Sequence, residues 1–359
     1  MIYTDATRLP RLMQCLGSHH MPAPLPGDDD PQARDEGNAA HYMAQQVFNG
    51  ANIWALIGTR AYNGHIMDEE MARHVQTYLG ALDCGQMEVD TSHGPVAGRA
   101  DHISWRCHPN DQHQMPQSLT VDDFKYGYRL VEPEMNWTLI SHAIGWCVHN
   151  NAQPQKITLR IHQPRRHHPL GPMREWSFNY VELTNFAQQI YARLGSNDNS
   201  LHTGSHCAKC HAASVCPAYR EANMNAIDAT TKFFSDTLAP EQLATELDLV
   251  RQAESVIEGR LKALEELARH RIMAGEAIPN YMIDLSYANR RFKSAFTPSA
   301  ITALTGKSAT VEKTCTPAEL ERRGVDPKII EFMTERPVAA RKLVRIDVDA
   351  KARKMLRKD

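Results

Sequence analysis

The chain has 359 residues, of which 42% are hydrophobic and 23% charged, and a formal net charge of −2. That make-up is that of a folded globular protein, not of a disordered or fibrous chain. No apolar run approaches the ~20 residues of a membrane span, and no basic head leads into an apolar core at the start, so neither a membrane segment nor a secretory signal is expected. With charge so nearly balanced, a polyanion would have to be met by a local groove, not by the field of the whole protein.

In chain order, residues 1–20 read as partly helical and carry Cys15, and the Pro-, Gly- and Asp-rich stretch 22–32 reads as a loop. Apolar spacing predicts a helix from about Asp35 to Phe48 and a second over 68–82. Strand patterns follow at 87–91, 96–105 and 119–126, the first two joined by a turn at Ser92-His93-Gly94-Pro95. Residues 107–117 read as a connecting loop, 136–149 as a helix, and 156–162 and 175–181 as strands, with the basic run Arg165–Arg166–His167–His168 between them. A helix is expected over 183–194, then the cysteine cluster, then one long helix or a helical pair over 239–274. From Tyr281 a small α/β tail begins, and its end, 340–358, is dominated by Lys and Arg. The expected organisation is an α/β core over 1–225, a helical segment over 226–278 and a small α/β extension over 279–359.

Chemistry concentrates in a few places. Asp123 and Lys125 are separated by one residue in a predicted strand, so both side chains face the same way. Asp122, the neighbour of Asp123, should face the other way. Asp101 lies on the preceding strand, after Gly98, in the sequence Gly98-Arg99-Ala100-Asp101. If the two strands are antiparallel neighbours, both carboxylates converge on one cation, and hard oxygen ligands suit Mg²⁺ or Mn²⁺. His41, on the helix before, offers a nitrogen ligand. Glu36, five residues earlier and off its face, is a candidate for an outer position. A carboxylate-held divalent ion beside an ammonium is the equipment of phosphodiester hydrolysis.

The order of these motifs resembles the RecB-like branch of the PD-(D/E)xK nuclease superfamily. Gly37 and His41 match that family's Gly-x3-His helix, Gly98 and Asp101 its Gly-x-x-Asp, and Asp123 and Lys125 its Asp/Glu-x-Lys. The resemblance implies a mixed central sheet flanked by helices, a metal held by His41, Asp101 and Asp123, and a Lys125 that orients or helps deprotonate water. The family's next helix carries Gln and Tyr. Here Thr138 and His142 stand in those places, a departure that leaves both as candidates for a second shell.

Cys207, Cys210 and Cys216 give C-x2-C-x5-C, followed by Pro217. Three thiols this close suit a metal group, and a fourth ligand must come from elsewhere; Cys15 is the candidate. Spacing alone leaves zinc and a [4Fe–4S] cluster both open, and His206 and His211 stand beside the thiols. One early cysteine with a late C-x2-C-x5-C resembles the AddB-type and CRISPR-associated iron–sulfur exonucleases, in which such a cluster staples the two ends of the nuclease core. That resemblance favours iron–sulfur, with Zn²⁺ the alternative. Cys84, Cys107, Cys147 and Cys315 read as scattered core or surface residues.

Arg99, Tyr126, Arg165 and Arg166 are candidates for contacts to nucleic acid, and Trp105, Trp137 and Trp176 for base stacking. The tail from Ile278 is similar to the C-terminal region of a family of phage RecB-like nucleases. The resulting expectation is a Mg²⁺- or Mn²⁺-dependent deoxyribonuclease, an exonuclease on single strands or duplex ends. It would act in phage or bacterial recombination, in the cytoplasm, with DNA and a recombinase or single-strand annealing protein as partners. In that compartment the eight cysteines stand as thiols or metal ligands, not disulfides. The alternative, favoured by the altered Gln/Tyr helix, is a nuclease fold that binds DNA without cleaving it.

Overall fold

The computed structural model describes residues 1–24, 31–107, 116–232, 239–287, 291–292, 298–309, 316–335 and 338–345. Most of the expected 107–117 loop, part of the 22–32 loop and most of the basic end at 340–358 lie outside the described residues. The chain divides into two compact units, Met1–Arg260 and Leu261–Asp359.

The first unit runs β1 (Thr4–Asp5), α1 (Leu9–Gln14), α2 (Pro31–Phe48), α3 (Ile53–Leu56), α4 (Glu69–Ala81), β2 (Gly85–Asp90), β3 (Val96–Ala97), β4 (Arg99–Cys107) and β5 (Pro116–Phe124). It continues through α5 (Trp137–His149), β6 (Lys156–His162), β7 (Met173–Phe178), α6 (Tyr180–Gly195), α7 (Pro217–Lys232) and α8 (Pro240–Met273), within which the division falls. Its centre is a five-stranded mixed sheet of order β2-β4-β5-β6-β7. All neighbours are antiparallel except β5 and β6. Parallel neighbours need a crossover, and α5 supplies it. The architecture is therefore α/β, a mixed sheet with helices on both faces.

Helix ends follow local chemistry. The Asp68 side chain accepts the Met71 N–H at the start of α4, and Asn136 accepts the Leu139 N–H at the start of α5. Asn179 and Glu182 form a reciprocal capping box at α6. Helix α2 starts at Pro31, earlier than the sequence suggests, since proline is tolerated in a first turn. The strand expected over 96–105 is broken at Gly98 into β3, which pairs with β1, and β4, which pairs with β2 and β5.

Strand alternation sorts the core into two layers. Ile103, Leu119, Val121, Ile157, Leu159 and Ile161 face α1, α5 and α6, and meet Leu9, Leu12, Leu139, Ile140 and Ala143 there. On the other face Phe124 joins Ala39, Met43, Met71, Val75 and Tyr78 from α2 and α4. The Phe124 and Tyr78 rings stack with centroids 4.5 Å apart. Close approach fixes one glycine on the first face. A Cβ on Gly145 of α5 would stand 1.8 Å from the Thr91 carbonyl oxygen, so α5 crosses that backbone with no room for a side chain.

The second unit contains β8 (Tyr281–Tyr287), β9 (Arg291–Phe292), α9 (Pro298–Thr305), α10 (Pro317–Arg322), α11 (Pro327–Met333), β10 (Thr334–Glu335) and β11 (Val338–Arg345). β8 pairs with β11 and β9 with β10, both antiparallel. Ile301, Leu320, Val325, Ile330 and Met333 form its small core.

Candidate active site

The register of the sheet decides which acids meet. His102 pairs with Asp122 across β4 and β5, which puts Asp101 and Asp123 together on the opposite face, at the ends of their strands. Asp122 is fully buried away from them. It accepts from His102 Nδ1 at 3.0 Å, His162 Nε2 at 2.8 Å and the Arg160 guanidinium at 3.3 Å. Burial opposes its charge, but these donors outweigh burial and hold its carboxyl below the ordinary range. The adjacent acids thus have separate environments.

On the open side, Asp101 Oδ2 accepts the backbone N–H of Phe124 at 2.8 Å and lies 3.5 Å from His41 Nδ1. The Lys125 ammonium donates to Asp123 Oδ1 at 2.9 Å and stands equally near Oδ2. The Lys125 backbone N–H donates to the His162 carbonyl at 2.8 Å, which continues the β5–β6 pairing past the strand end and aims its side chain. Burial pushes the Asp101 carboxyl up, opposed by His41 and Lys125 and reinforced by Asp123. Burial alone would lower the Lys125 pKa, and the two carboxylates outweigh it and raise it.

His142 is the third group facing these acids. Its imidazole Nδ1 shares a 2.8 Å hydrogen bond with the Thr91 hydroxyl, and burial lowers its pKa to about 4, with Asp123 acting against that and Lys125 with it. A Cβ on Gly98 would meet that ring at 3.1 Å and Thr91 Oγ1 at 3.0 Å. The Gly98 of Gly-x-x-Asp is thereby explained as the seat of His142, and Thr91 as its anchor, a role that no sequence signal announced. Gly37 is different. A Cβ there would meet nothing within 4 Å, so packing within the chain does not require glycine in the middle of α2.

Does this set fit a divalent cation? Among the described residues, no three His, Cys, Asp or Glu side chains stand close enough to hold an ion as they are oriented. The chemistry of the donors nevertheless fits a hard cation. Two carboxylates sit side by side, an imidazole stands 3.5 Å from one of them, and the Lys125 ammonium balances charge beside both oxygens of the other, a donor set of the kind a hard cation takes.

Several expected residues stand elsewhere. Thr138 donates its hydroxyl to the Ala6 carbonyl at 3.2 Å and is tied to the N-terminal segment, not to the carboxylates. Glu36 pairs with Arg165 at 2.9 Å. Arg165 also lies over the Tyr126 and Tyr128 rings, 4.6 and 4.3 Å from their centroids. Arg165 is therefore held inside the protein, its charge shared with Glu36. Tyr126 is 3% exposed and belongs to the core, which corrects its reading as a nucleic-acid contact. Trp105, Trp137 and Trp176 are half-buried, packed on the sheet core against Trp146, Phe186 and Phe178 respectively. Arg99 is exposed, 3.6 Å from Glu88, and Arg166 is exposed.

The four cysteines named from the sequence come together. Cys15, Cys207, Cys210 and Cys216 line one pocket, shared with His202, His206 and Tyr219. Cys15 closes α1, and Gly17 beside it admits no Cβ, which would stand 2.4 Å from the Asn199 carbonyl oxygen. That contact presses the N-terminal segment against the 199–202 strip, whose His202 N–H reaches Cys15 Sγ at 3.4 Å. The Gly204 N–H reaches Cys207 Sγ at 3.4 Å. Burial pushes the Cys207 and Cys210 thiols up, and neighbouring thiols add to it. A positively charged group among them would reverse that. Four cysteines about one pocket, with N–H donors to two of the sulfurs, suit a [4Fe–4S] cluster or a zinc ion.

Residues 113–344 match the model of a family described as "Protein of unknown function (DUF2800)", and the chain belongs to that family. The matched stretch includes Asp123, Lys125, His142 and three of the four pocket cysteines, Cys207, Cys210 and Cys216; His41, Asp101 and Cys15 precede it.

Proposed function

We propose that this DUF2800 protein is a metal-dependent DNA nuclease with a RecB-like core, acting on single strands or duplex ends. The observation that carries the reading is the meeting of Asp101, Asp123, Lys125 and His41 at one end of the sheet. Mg²⁺ or Mn²⁺, when bound, would polarise the phosphoryl oxygen and lower the pKa of attacking water. Asp101 and Asp123 would hold it, with His41 as the nitrogen ligand. Lys125, kept charged by the two carboxylates, would orient the water and stabilise negative charge growing on the phosphate. His142, neutral at pH 7 and fixed by Thr91, would order that water or the carboxylate beside it. The open space at Gly37, one turn before His41, is where a phosphate backbone would pass close to α2.

The four thiols would hold a [4Fe–4S] cluster that ties α1 to the segment after α6; zinc is the other occupant. Supporting a structural role, Tyr219 and Arg260 bind α7, α8 and the cysteine segment to one another through the Val256 and Ala213 carbonyls. A role in phage or bacterial recombination, with a recombinase or annealing protein as partner, belongs to the same reading.

One observation favours the non-cleaving alternative: Thr138 points to the N-terminal segment, so the family's Gln position contributes nothing to the site. The experiment is digestion of end-labelled and circular DNA with Mg²⁺ or Mn²⁺, comparing the parent protein with Asp123→Asn and Lys125→Ala. Loss of cleavage in both variants, with folding intact, supports the nuclease. No metal-dependent cleavage by the parent protein, or full activity in both variants, overturns it.

A further inference from the structure

Residues 57–67 form a small hairpin beside α2. Gly58 N–H donates to the Met67 carbonyl at 2.8 Å, Met67 N–H to Thr59 at 3.0 Å and Ala61 N–H to His65 at 2.9 Å, and Gly64 turns the chain at φ +82°. Its tip carries Tyr62, which is 71% exposed. An exposed aromatic on a loop is ordinary when it swings freely. This one does not. Its ring meets Tyr42 edge to face with centroids 5.8 Å apart, and next to it the Asn63 amide donates to the Asp35 carbonyl at 2.6 Å. Asp35 and Tyr42 are seven residues apart, two turns along one face of α2, so the hairpin lies along that face. Tyr42 is the neighbour of His41.

A second ring is fixed to the same stretch of helix. Tyr128, three residues beyond Lys125, is 59% exposed. The guanidinium of Arg165 lies 4.3 Å from its ring centroid and hydrogen-bonds its hydroxyl, and Arg165 is itself held by Glu36 on α2. Two open tyrosine faces are thus pinned to the turns of α2 that lead up to the candidate metal ligand. Exposed cations accompany them: Arg60, in the hairpin, and Arg166, beside Arg165.

We infer that Tyr62 and Tyr128 form a stacking ledge for the bases of single-stranded DNA next to the cleavage site. The inference rests on the nuclease reading and names the strand form that site receives. A duplex keeps its base faces within its own stack; an unpaired strand presents them. Rings already tethered lose little freedom when a base lies on them, so each stacked base retains most of its binding energy. Arg60 and Arg166 are placed for the phosphates between the bases.

The test uses the full chain carrying Asp123→Asn, so that binding is read without cleavage. Fluorescence anisotropy compares a short oligodeoxythymidine with an abasic strand of the same length. The expected result is that the base-bearing strand binds about tenfold tighter or more, as stacking on one or two rings provides. Tyr62→Ala and Tyr128→Ala should each remove most of that difference, the loss falling on the base-bearing strand only. Tyr62→Phe should retain it, because the ring and not the hydroxyl is used. Equal affinity for the two strands in the parent, or an unchanged preference in both alanine variants, overturns the ledge. Metal-dependent cleavage is scored separately on the protein with Asp123 intact. A ledge that fails in a protein that cleaves is thereby distinguished from a site that never cleaves.

Discussion

Asp122 and Asp123 are adjacent in the chain, yet replacing each with alanine should have opposite consequences. Asp122 is fully buried and accepts from two imidazoles and a guanidinium. Its removal leaves His102 and His162 without their carboxylate, while Arg160 keeps Glu175 at 3.4 Å and Asp83 at 3.7 Å. Breaking a buried ion pair by removing one partner costs about 3–5 kcal/mol, and the retained partners of Arg160 place this case toward the lower end. For a unit of this size that is a fall in Tm of roughly 10 °C. Asp123 pairs with Lys125 but also crowds Asp101, so Asp123→Ala loses one attraction and relieves one repulsion. Its expected cost is about 1 kcal/mol or less, in the range of a partly exposed ion pair. Urea denaturation followed through the fluorescence of Trp105, Trp146 and Trp176, which all lie in or on the sheet core, reads both variants. Asp123→Ala should lose cleavage while keeping stability, and Asp122→Ala should lose stability while keeping cleavage at temperatures where it is folded. Equal destabilisation by the two changes, or an Asp122→Ala cost under about 1 kcal/mol, would refute the assignment of the two acids to opposite faces.

Other perturbations follow from the same geometry. Gly145→Ala would gain up to about 1 kcal/mol in an exposed helix; here the new methyl meets the Thr91 backbone, so a loss of about 1–3 kcal/mol is expected, and a stabilised variant would contradict the packing. Burial lowers the His93 pKa to about 4, with Ser141 acting against it, so the folded state favours the neutral ring. The corresponding stability is complete above the unfolded value near 6.5 and is lost as pH falls toward 4, a span of at most about 3 kcal/mol. His93→Gln should flatten the pH dependence of the urea midpoint between pH 7 and 4.5, and an unchanged slope argues against the burial. Cys15→Ser should lower bound iron or zinc and destabilise the junction of α1 with the 199–202 strip; full metal content in that variant would remove Cys15 from the ligand set.

Much of the site was legible in the chain because its information is local. A period of two puts Asp123 and Lys125 on one side of a strand and Asp122 on the other, whatever the rest of the protein does. The spacing of Cys207, Cys210 and Cys216 and the caps at Asp68, Asn136 and Asn179 are equally short-range. The tertiary structure decided what lies far apart in sequence and near in space. Only the sheet register brings Asp101 beside Asp123, only the press of Gly17 on the 199–202 strip carries Cys15 to the other cysteines, and only the approach of α5 seats His142 on Gly98. It also withdrew Tyr126 into the core, laid three tryptophans half-buried against it and left Tyr62 outside. An aromatic side chain gains as much from burial as from a ligand, and its own sequence neighbourhood does not say which of the two it meets.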